Sequence, residues 1–568
     1  MSSKLVPALV LVLLLSIQAV AKGENTNMSG CQSIQVWVAD PLTKILPNTP
    51  VPENPLASVT VDTVRNEYES AQIGVHAAKD IRKLIVNVYP IAGKPGAGPR
   101  IEANFLGFIP VEKGTSDTPA EHLIGSPPLQ IPDPLLKKKF VSVPAGTNQP
   151  IWLTIYTPKA TEPGDYTFTA SITADEDVCN MPITVRVHRF TLPDERTLHL
   201  TNWFNTANVT TGLKVERWSE RYWKLLEDYA RVMAEHRQNV VITPMFELIS
   251  ARDDGRGNLT FDFQRFDRWV ALFQKAGVIG TVEGSHLGGR SDWEAKDFNA
   301  FRPKISNPDG SVQQRPQVTV SSEEQRQFLA QYLPALCAHL KEKGWFDIYI
   351  QHLCDEPISP NAESYKKLSS YIREYAPGMR IIDASMCTEI AGALDIWVPQ
   401  PTELEQKNDF FAQRKQAGDE IWFYTCLSPR GKYMNRFLDF PLIKTRLLHW
   451  ANFKYDLTGY LHWGFNYWRG DPFTDLQSDW LPPGDSHLVY PSNRGILSSI
   501  RLEALRDGVE DYEMLKILEK RNAKAARAIC DSIVKSWTDY TLDPTMFRAA
   551  RMRLIKALEQ DTAAQPSL

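Results

Sequence analysis

The chain has 568 residues, 43% hydrophobic and 23% charged, with 63 basic against 67 acidic side chains and a formal charge of −4. That ordinary globular balance excludes long disorder and fibrous repeats, and the lack of a basic cluster argues against a nucleic-acid partner. Seven cysteines are too few for a disulfide scaffold, and 11 histidines occur without an H-E-x-x-H or a C-x-x-C pair. No metal and no cofactor is therefore expected.

At the N-terminus Lys4 precedes the apolar run Leu5 to Val20, and Ala19-Val20-Ala21 offers a small-x-small cleavage site before polar residues. Residues 1–21 read as an export signal, so the mature chain is expected to be periplasmic or secreted. A membrane anchor fits less well, because the run is short for a span and a cleavage site follows; no stable membrane insertion is expected. From about residue 30 to 190 the texture is that of strands. Ser33–Ala39, Leu84–Tyr89, Ile151–Tyr156, Tyr166–Thr173 and Met181–Val187 alternate or run apolar, with Gly/Pro turns between them. Strands without helices between them predict an antiparallel β-sandwich. The Pro-rich stretch Thr115–Lys139 reads as a long loop over it.

Beyond Thr191–Arg196 the pattern changes. Apolar strands at Leu198–Phe204, Asn239–Thr243, Val278–Glu283, Ile348–Leu353, Arg380–Asp383, Ile396–Val398, Ile421–Thr425 and Gly459–Trp463 alternate with helical segments. Eight such strands over 197–498 predict a (β/α)₈ TIM-type barrel, with residues 499–568 as C-terminal helices packed on it. A doubly wound sheet is the alternative, but no Gly-rich fingerprint follows the first strand.

In such barrels the chemistry sits where strands end. Ile350-Gln-His-Leu-Cys-Asp-Glu-Pro357 places Asp355 and Glu356 at the end of the fourth strand. Neighbours on a strand point to opposite faces, so both reach one pocket only if the backbone turns between them. Adjacent carboxyls do not easily straddle a glycosidic bond. They can instead divide the work on one side, one ionised and steering a nucleophile that belongs to the substrate, the other delivering a proton. That division suits 2-acetamido sugars, whose acetamide attacks C1 and forms an oxazolinium. A helix-capping Asp beside a solvated Glu is the plain structural alternative.

Aromatic strand ends suit a sugar pocket: Trp203 on the first strand, Tyr424 on the seventh, and Trp463, Asn466, Tyr467 and Trp468 on the eighth. His286 and Asp383, after the third and fifth strands, are either site groups or satisfied structural ones. Trp345, Trp397 and Trp422 read as core. The segment Arg501–Tyr512 reads as a salt-bridged helix closing the barrel.

Asp355-Glu356 on a fourth strand, Gly459-Tyr-Leu-His-Trp-Gly-Phe-Asn-Tyr-Trp468 and Arg501-Leu-Glu-Ala-Leu-Arg-Asp-Gly-Val-Glu-Asp-Tyr512 together resemble glycoside hydrolase family 123, over nearly the whole mature chain. The resemblance implies an exo-acting, retaining enzyme that releases terminal β-linked N-acetylgalactosamine (GalNAc) from a glycolipid, glycoprotein or oligosaccharide. It implies Asp355 as the carboxylate that orients the acetamide and Glu356 as the acid/base. The alternatives are a β-N-acetylglucosaminidase of the same mechanism, since the sugars differ only at the 4-hydroxyl, or a non-catalytic carbohydrate-binding protein.

Overall fold

The computed structural model describes residues 32–92, 98–313, 316–474, 480–493 and 495–562; the expected export signal lies outside them. Among the described residues no helix is long and apolar enough to cross a membrane. Cys179 is disulfide-bonded, and Cys337, Cys354, Cys387, Cys426 and Cys530 are free.

Ten strands form the N-terminal unit: β1 (Ile34–Ala39), β2 (Val59–Arg65), β3 (Glu67–Ala77), β4 (Ile81–Ala92), β5 (Arg100–Val111), β6 (Leu129–Leu136), β7 (Val141–Val143), β8 (Asn148–Thr157), β9 (Gly164–Ala174) and β10 (Asp177–Thr191). They make two five-stranded sheets, β1-β3-β8-β5-β6 and β2-β10-β9-β4-β7. Alternation carries the core. Ile73 and Val75 of β3, Ile151 and Leu153 of β8, Ala170 and Ile172 of β9 and Ile183 and Val185 of β10 meet in one cluster between the sheets, as period-2 side chains on facing sheets must.

Two features differ from the sequence reading. The sandwich is not wholly antiparallel, because β2 runs parallel to β10. No hairpin joins those two strands, so a turn does not dictate their relative direction. The Pro-rich stretch is not all loop either, since Leu129–Leu136 is strand β6 despite Pro132 and Pro134. It lies at the sheet edge, where a missing N–H breaks no central ladder.

Besides small antiparallel pairs such as Ser250–Asp253 with Leu259–Asp262, the described strands of the second unit include nine short ones that pair in parallel: β11 (His199–Asn202), β12 (Val240–Thr243), β13 (Thr281–Gly284), β14 (Tyr349–His352), β15 (Arg380–Ala384), β16 (Ile396–Val398), β17 (Glu420–Ile421), β18 (Phe423–Tyr424) and β19 (Gly459–His462). One ladder runs β12 through β17 in chain order; the other is β11-β19-β18. Only Trp422 separates β17 from β18. The Asn239 N–H donates to the Leu200 carbonyl at 3.3 Å where the two ladders meet on the other side. Alternate residues, including Val240, Ile350, Ile382, Ile396, Trp422 and Leu461, form one small cluster. Their strand neighbours Val241, Tyr349, Ile381, Trp397, Ile421 and Tyr460 pack instead into the large core shared with the helices.

Helices Glu220–Glu235, Gln264–Lys275, Glu323–Glu342, Ala362–Tyr375 and Ile443–Lys454 lie between the strands. Ser219, Ser322 and Ser499 cap helices by accepting the N–H three residues on. The long helix Ile500–Asp531 is buried along its first half and binds both units. Arg501 pairs with Asp133 of β6 at 2.9 Å, Glu503 with His236 at 2.9 Å, and Glu510 with Arg237 at 2.8 Å. Arg446 lies between Glu69 of β3 and Asp511, each at 2.8 Å. Gly508 is required for this packing, because a Cβ there would sit 2.4 Å from the Arg446 carbonyl oxygen. The charged motif is thus a seam that fixes the sandwich to the parallel-strand unit.

Candidate active site

The site is built where β14 ends. After His352 the chain continues through Leu353 and Cys354 to Asp355, and Glu356 has φ +47°. That left-handed conformation costs a non-glycine residue energy, and it turns the backbone between the two carboxylates. Its position is held from β15, because the Glu356 N–H donates to the Ala384 carbonyl at 3.1 Å. Asp355 opens to solvent and Glu356 is half-buried. The Tyr424 hydroxyl donates to Glu356 Oε1 and itself accepts from Gln400 Nε2 at 3.0 Å.

Desolvation, with the charges of Glu356 and Asp383, pushes the Asp355 carboxyl up to about 7. Asp355 therefore keeps its proton up to near neutrality.

Beneath them lies a buried ion network. His352 bridges two carboxylates, with Nδ1 2.7 Å from Asp383 Oδ1 and Nε2 2.8 Å from Glu283 Oε1. Burial opposes its charge, yet those two hydrogen bonds win and push it up to about 10. An imidazolium between two carboxylates satisfies all three in a dry interior. Asp383 Oδ2 also accepts from the Leu353 N–H at 2.9 Å and from the Tyr365 hydroxyl at 2.6 Å, so it holds the strand end that carries Asp355. Glu283 accepts from Thr201 Oγ1 at 2.6 Å and from Trp203 Nε1 at 2.7 Å.

His286 lies against this network, its ring 4.6 Å from that of His352 and 5.3 Å from that of Trp203. Burial and the charge of His352 hold it well below the usual histidine range, so it is neutral. Its buried Nε2 makes no hydrogen bond but lies 3.5 Å from Asp383 Oδ1. His286, His352 and Asp383 could together offer ligand atoms to a cation, lying within 4.8 Å of one another. Both nitrogens of His352 already face carboxylates, so a cation there would have to displace one of them.

The aromatic candidates divide. Trp203, Tyr424, Trp463 and Tyr467 belong to one cluster with the inward strand residues. Trp463 and Tyr467 are half-buried, with rings 5.3 Å apart. The indole N–H of Trp463 is held by Asp485 at 2.9 Å. Burial and the charge of Asp355 push the Tyr467 hydroxyl up to about 12.

Asn466 and Trp468, expected beside them, are spent elsewhere. Asn466 is fully buried, and its amide exchanges hydrogen bonds with the Asn205 backbone at 2.6 and 3.1 Å. Trp468 donates to the Val489 carbonyl at 2.9 Å and packs in the large core. Asp383 is likewise fully buried and positions the strand end rather than meeting a ligand. Trp203 keeps a ring at the site but spends its N–H on Glu283.

Sequence reasoning passed over Glu283, His352, Tyr365 and Asp485. His352 had a local signal, since it shares the inward face of β14 with Ile350; its partners had none. Nor does cavity size locate the chemistry. A cavity of about 650 Å³ beside Asn208, Trp468 and Pro491 and one of about 500 Å³ between Pro110–Ser116 and Trp480–Pro483 both lie away from the pair.

The comparison with known families decides the class. The model of the glycoside hydrolase 123 catalytic domain matches residues 203–518, more than half of the chain. The chain belongs to glycoside hydrolase family 123. This family 123 hydrolase is similar in fold to a solved family 123 glycoside hydrolase from Clostridium perfringens. The TM-score is 0.73 at 15% identity, covering 93% of this chain and 98% of that one. Weaker likenesses are to a Parabacteroides merdae β-glucuronidase, with TM-score 0.31 at 9% identity over 84% of this chain and 51% of that one. Another is to an endo-β-1,4-mannanase from Thermotoga petrophila, with TM-score 0.34 at 11% identity over 56% and 77%. No curated protein sequence shows significant similarity to the chain.

Proposed function

We propose that this family 123 hydrolase is an exo-acting, retaining β-N-acetylgalactosaminidase that uses the substrate's own acetamide as nucleophile. In this reading the two parallel ladders are one (β/α)₈ barrel, closed at Trp422 and between β11 and β12, with the site at its C-terminal end. The observation that carries it is the positive φ of Glu356, a turn that would let two adjacent carboxylates serve one side of a single substrate.

The acetamide carbonyl oxygen attacks C1, the glycosidic C–O bond breaks, and Glu356 gives its proton to the departing oxygen. Asp355 accepts the acetamide N–H and balances the charge growing on the oxazolinium. Water then attacks C1 as Glu356 takes its proton, and two inversions give net retention. In the free site Asp355 holds its proton up to about 7, while Glu356 accepts the Tyr424 hydroxyl. An acetamide N–H arriving at Asp355 favours that anion instead and leaves the proton with Glu356. Trp463 and Tyr467 offer faces to the sugar ring.

The solved Clostridium perfringens relative is described as hydrolysing glycolipid glycans, which supports a glycolipid glycan as the class of substrate. The bonded Cys179 suits the oxidising compartment that an exported chain would reach.

Aryl β-GalNAc is expected to be cleaved, aryl β-galactoside to react only at background rate, and GalNAc-thiazoline to inhibit competitively. Equal rates on the galactoside, or no thiazoline inhibition, would remove the acetamide from the mechanism; faster release of GlcNAc would change the sugar.

The pH profile follows from the proton on Asp355. Above about 7 Asp355 loses its proton and the site has none to hand on, so kcat/KM on a glycan falls about tenfold per pH unit. In Glu356→Gln, assayed with an activated aryl leaving group, only Asp355 must be ionised. With the neighbouring charge gone, its acid limb should lie below that of a site still carrying Glu356, at a midpoint under about 7. A limb that stays put would mean Glu356 does not act on Asp355.

A further inference from the structure

The segment after β13 has a feature that the two-carboxylate mechanism does not use. Leu287 and Gly288 both donate to the Leu353 carbonyl, at 2.9 and 3.0 Å, so this segment runs beside the strand end that carries Asp355. Gly288 allows the approach, because a Cβ there would lie 2.5 Å from Val320 and 2.9 Å from the Asn299 carbonyl oxygen. Farther on, the Ala295 carbonyl accepts from Asn361 Nδ2 at 3.0 Å. Between these ties stands Arg290. Its Nη2 donates to the Asp355 carbonyl at 2.5 Å and to the Glu356 carbonyl. Its guanidinium also lies 4.1 Å from the centre of the Trp293 ring. Trp293 itself is 52% exposed.

A tryptophan left half in water is poorly used as core, and here a cation–π contact holds its orientation. One guanidinium separates the ring from the backbone of the proposed acid. The sugar to be released would sit deeper, against Trp463, Tyr467 and His286, so the rest of the glycan must leave past Glu356 toward solvent. We infer that Trp293, oriented by Arg290, is the platform for the leaving-group sugar, stacking on the apolar C–H face of a pyranose just beyond the cleaved bond. The inference rests on the proposed reading of Glu356 as the acid that protonates that leaving group. The ring pre-organises the aglycone and so acts mainly on KM for glycan substrates.

The test compares a trisaccharide ending in β-GalNAc with β-GalNAc fluoride, whose leaving group is too small to reach the ring. In Trp293→Ala the ratio of kcat/KM for the trisaccharide to that for the fluoride is expected to fall about tenfold or more, mostly through KM. Trp293→Tyr should restore the ratio to within about threefold, since a flat face returns. An unchanged ratio in Trp293→Ala, with wild-type protein active on both substrates, overturns the platform and leaves the proposed function standing. If the wild type cleaves neither substrate, the proposed function falls and the platform with it. Trp293 is exposed, so unfolding curves of both variants should overlay the wild type; a variant that unfolds early while the ratio stays constant also counts against the platform.

Discussion

Glu356→Gln should lose about three orders of magnitude in kcat/KM on a natural glycan and less than about tenfold on a dinitrophenyl-type glycoside. The asymmetry comes from the proton. A sugar alkoxide cannot leave without one, whereas dinitrophenolate can, and the amide of Gln has none to give. Asp355→Asn should behave differently, losing about 10²–10³ on both substrates, because its work on the acetamide precedes departure of any leaving group. Neither change should unfold the protein. Asp355 opens to the cleft, and a Gln at 356 can still accept the Tyr424 hydroxyl that Glu356 accepts. The measurement is kcat/KM for both variants across a leaving-group series. A reversed pattern would exchange the two roles, and full activity in either variant would take that residue out of the reaction.

Arg446→Met should destabilise the whole protein by about 3–5 kcal/mol, with little change in kinetics per folded molecule. Arg446 is buried and binds Glu69 through both terminal nitrogens, at 2.8 and 3.0 Å, and Asp511 through Nε at 2.8 Å. Methionine fills much of the volume but takes from the sandwich and long-helix carboxylates the cation that binds each at 2.8 Å, leaving them to share Arg551, which reaches each at 3.2 Å. Breaking one member of such a cluster costs far more than replacing all of it with apolar groups. Chemical unfolding at neutral pH reads the loss, and both units should unfold in one transition because the seam joins them. A loss under about 1 kcal/mol would mean that Arg548 and Arg551, which also reach Glu69, already neutralise it.

The seam also gives the sandwich a role that needs no ligand. Strand β3 presents Glu69 to Arg446 and Ser70 to Asp507, and strand β6 presents Asp133 to Arg501. The helix held there packs in turn on Ile443–Lys454, the helix that leads into β19 and the Trp463 segment. Support therefore passes from the sandwich to the site through packed elements.

What the sequence determined by itself was local. Period-2 runs marked the inward and outward faces of the strands, because each side chain's burial follows from its own neighbours along the chain. The D-E pair after an apolar run located the carboxylates, and the three motifs pointed to the family that the chain proved to belong to. Tertiary structure decided everything that depends on partners distant in sequence. His352 lies 69 positions from Glu283 and 31 from Asp383, and Arg501 lies 368 from Asp133. No spacing rule links such residues, since a buried charge is satisfied by whichever counter-charge the folded chain brings within hydrogen-bond reach. The same holds for Asn466, a polar residue among aromatics that read as cleft and proved to hold the Asn205 backbone. It holds too for the turn at Glu356, whose left-handed φ persists because Tyr424, Arg290 and the Ala384 carbonyl fix the strand end around it.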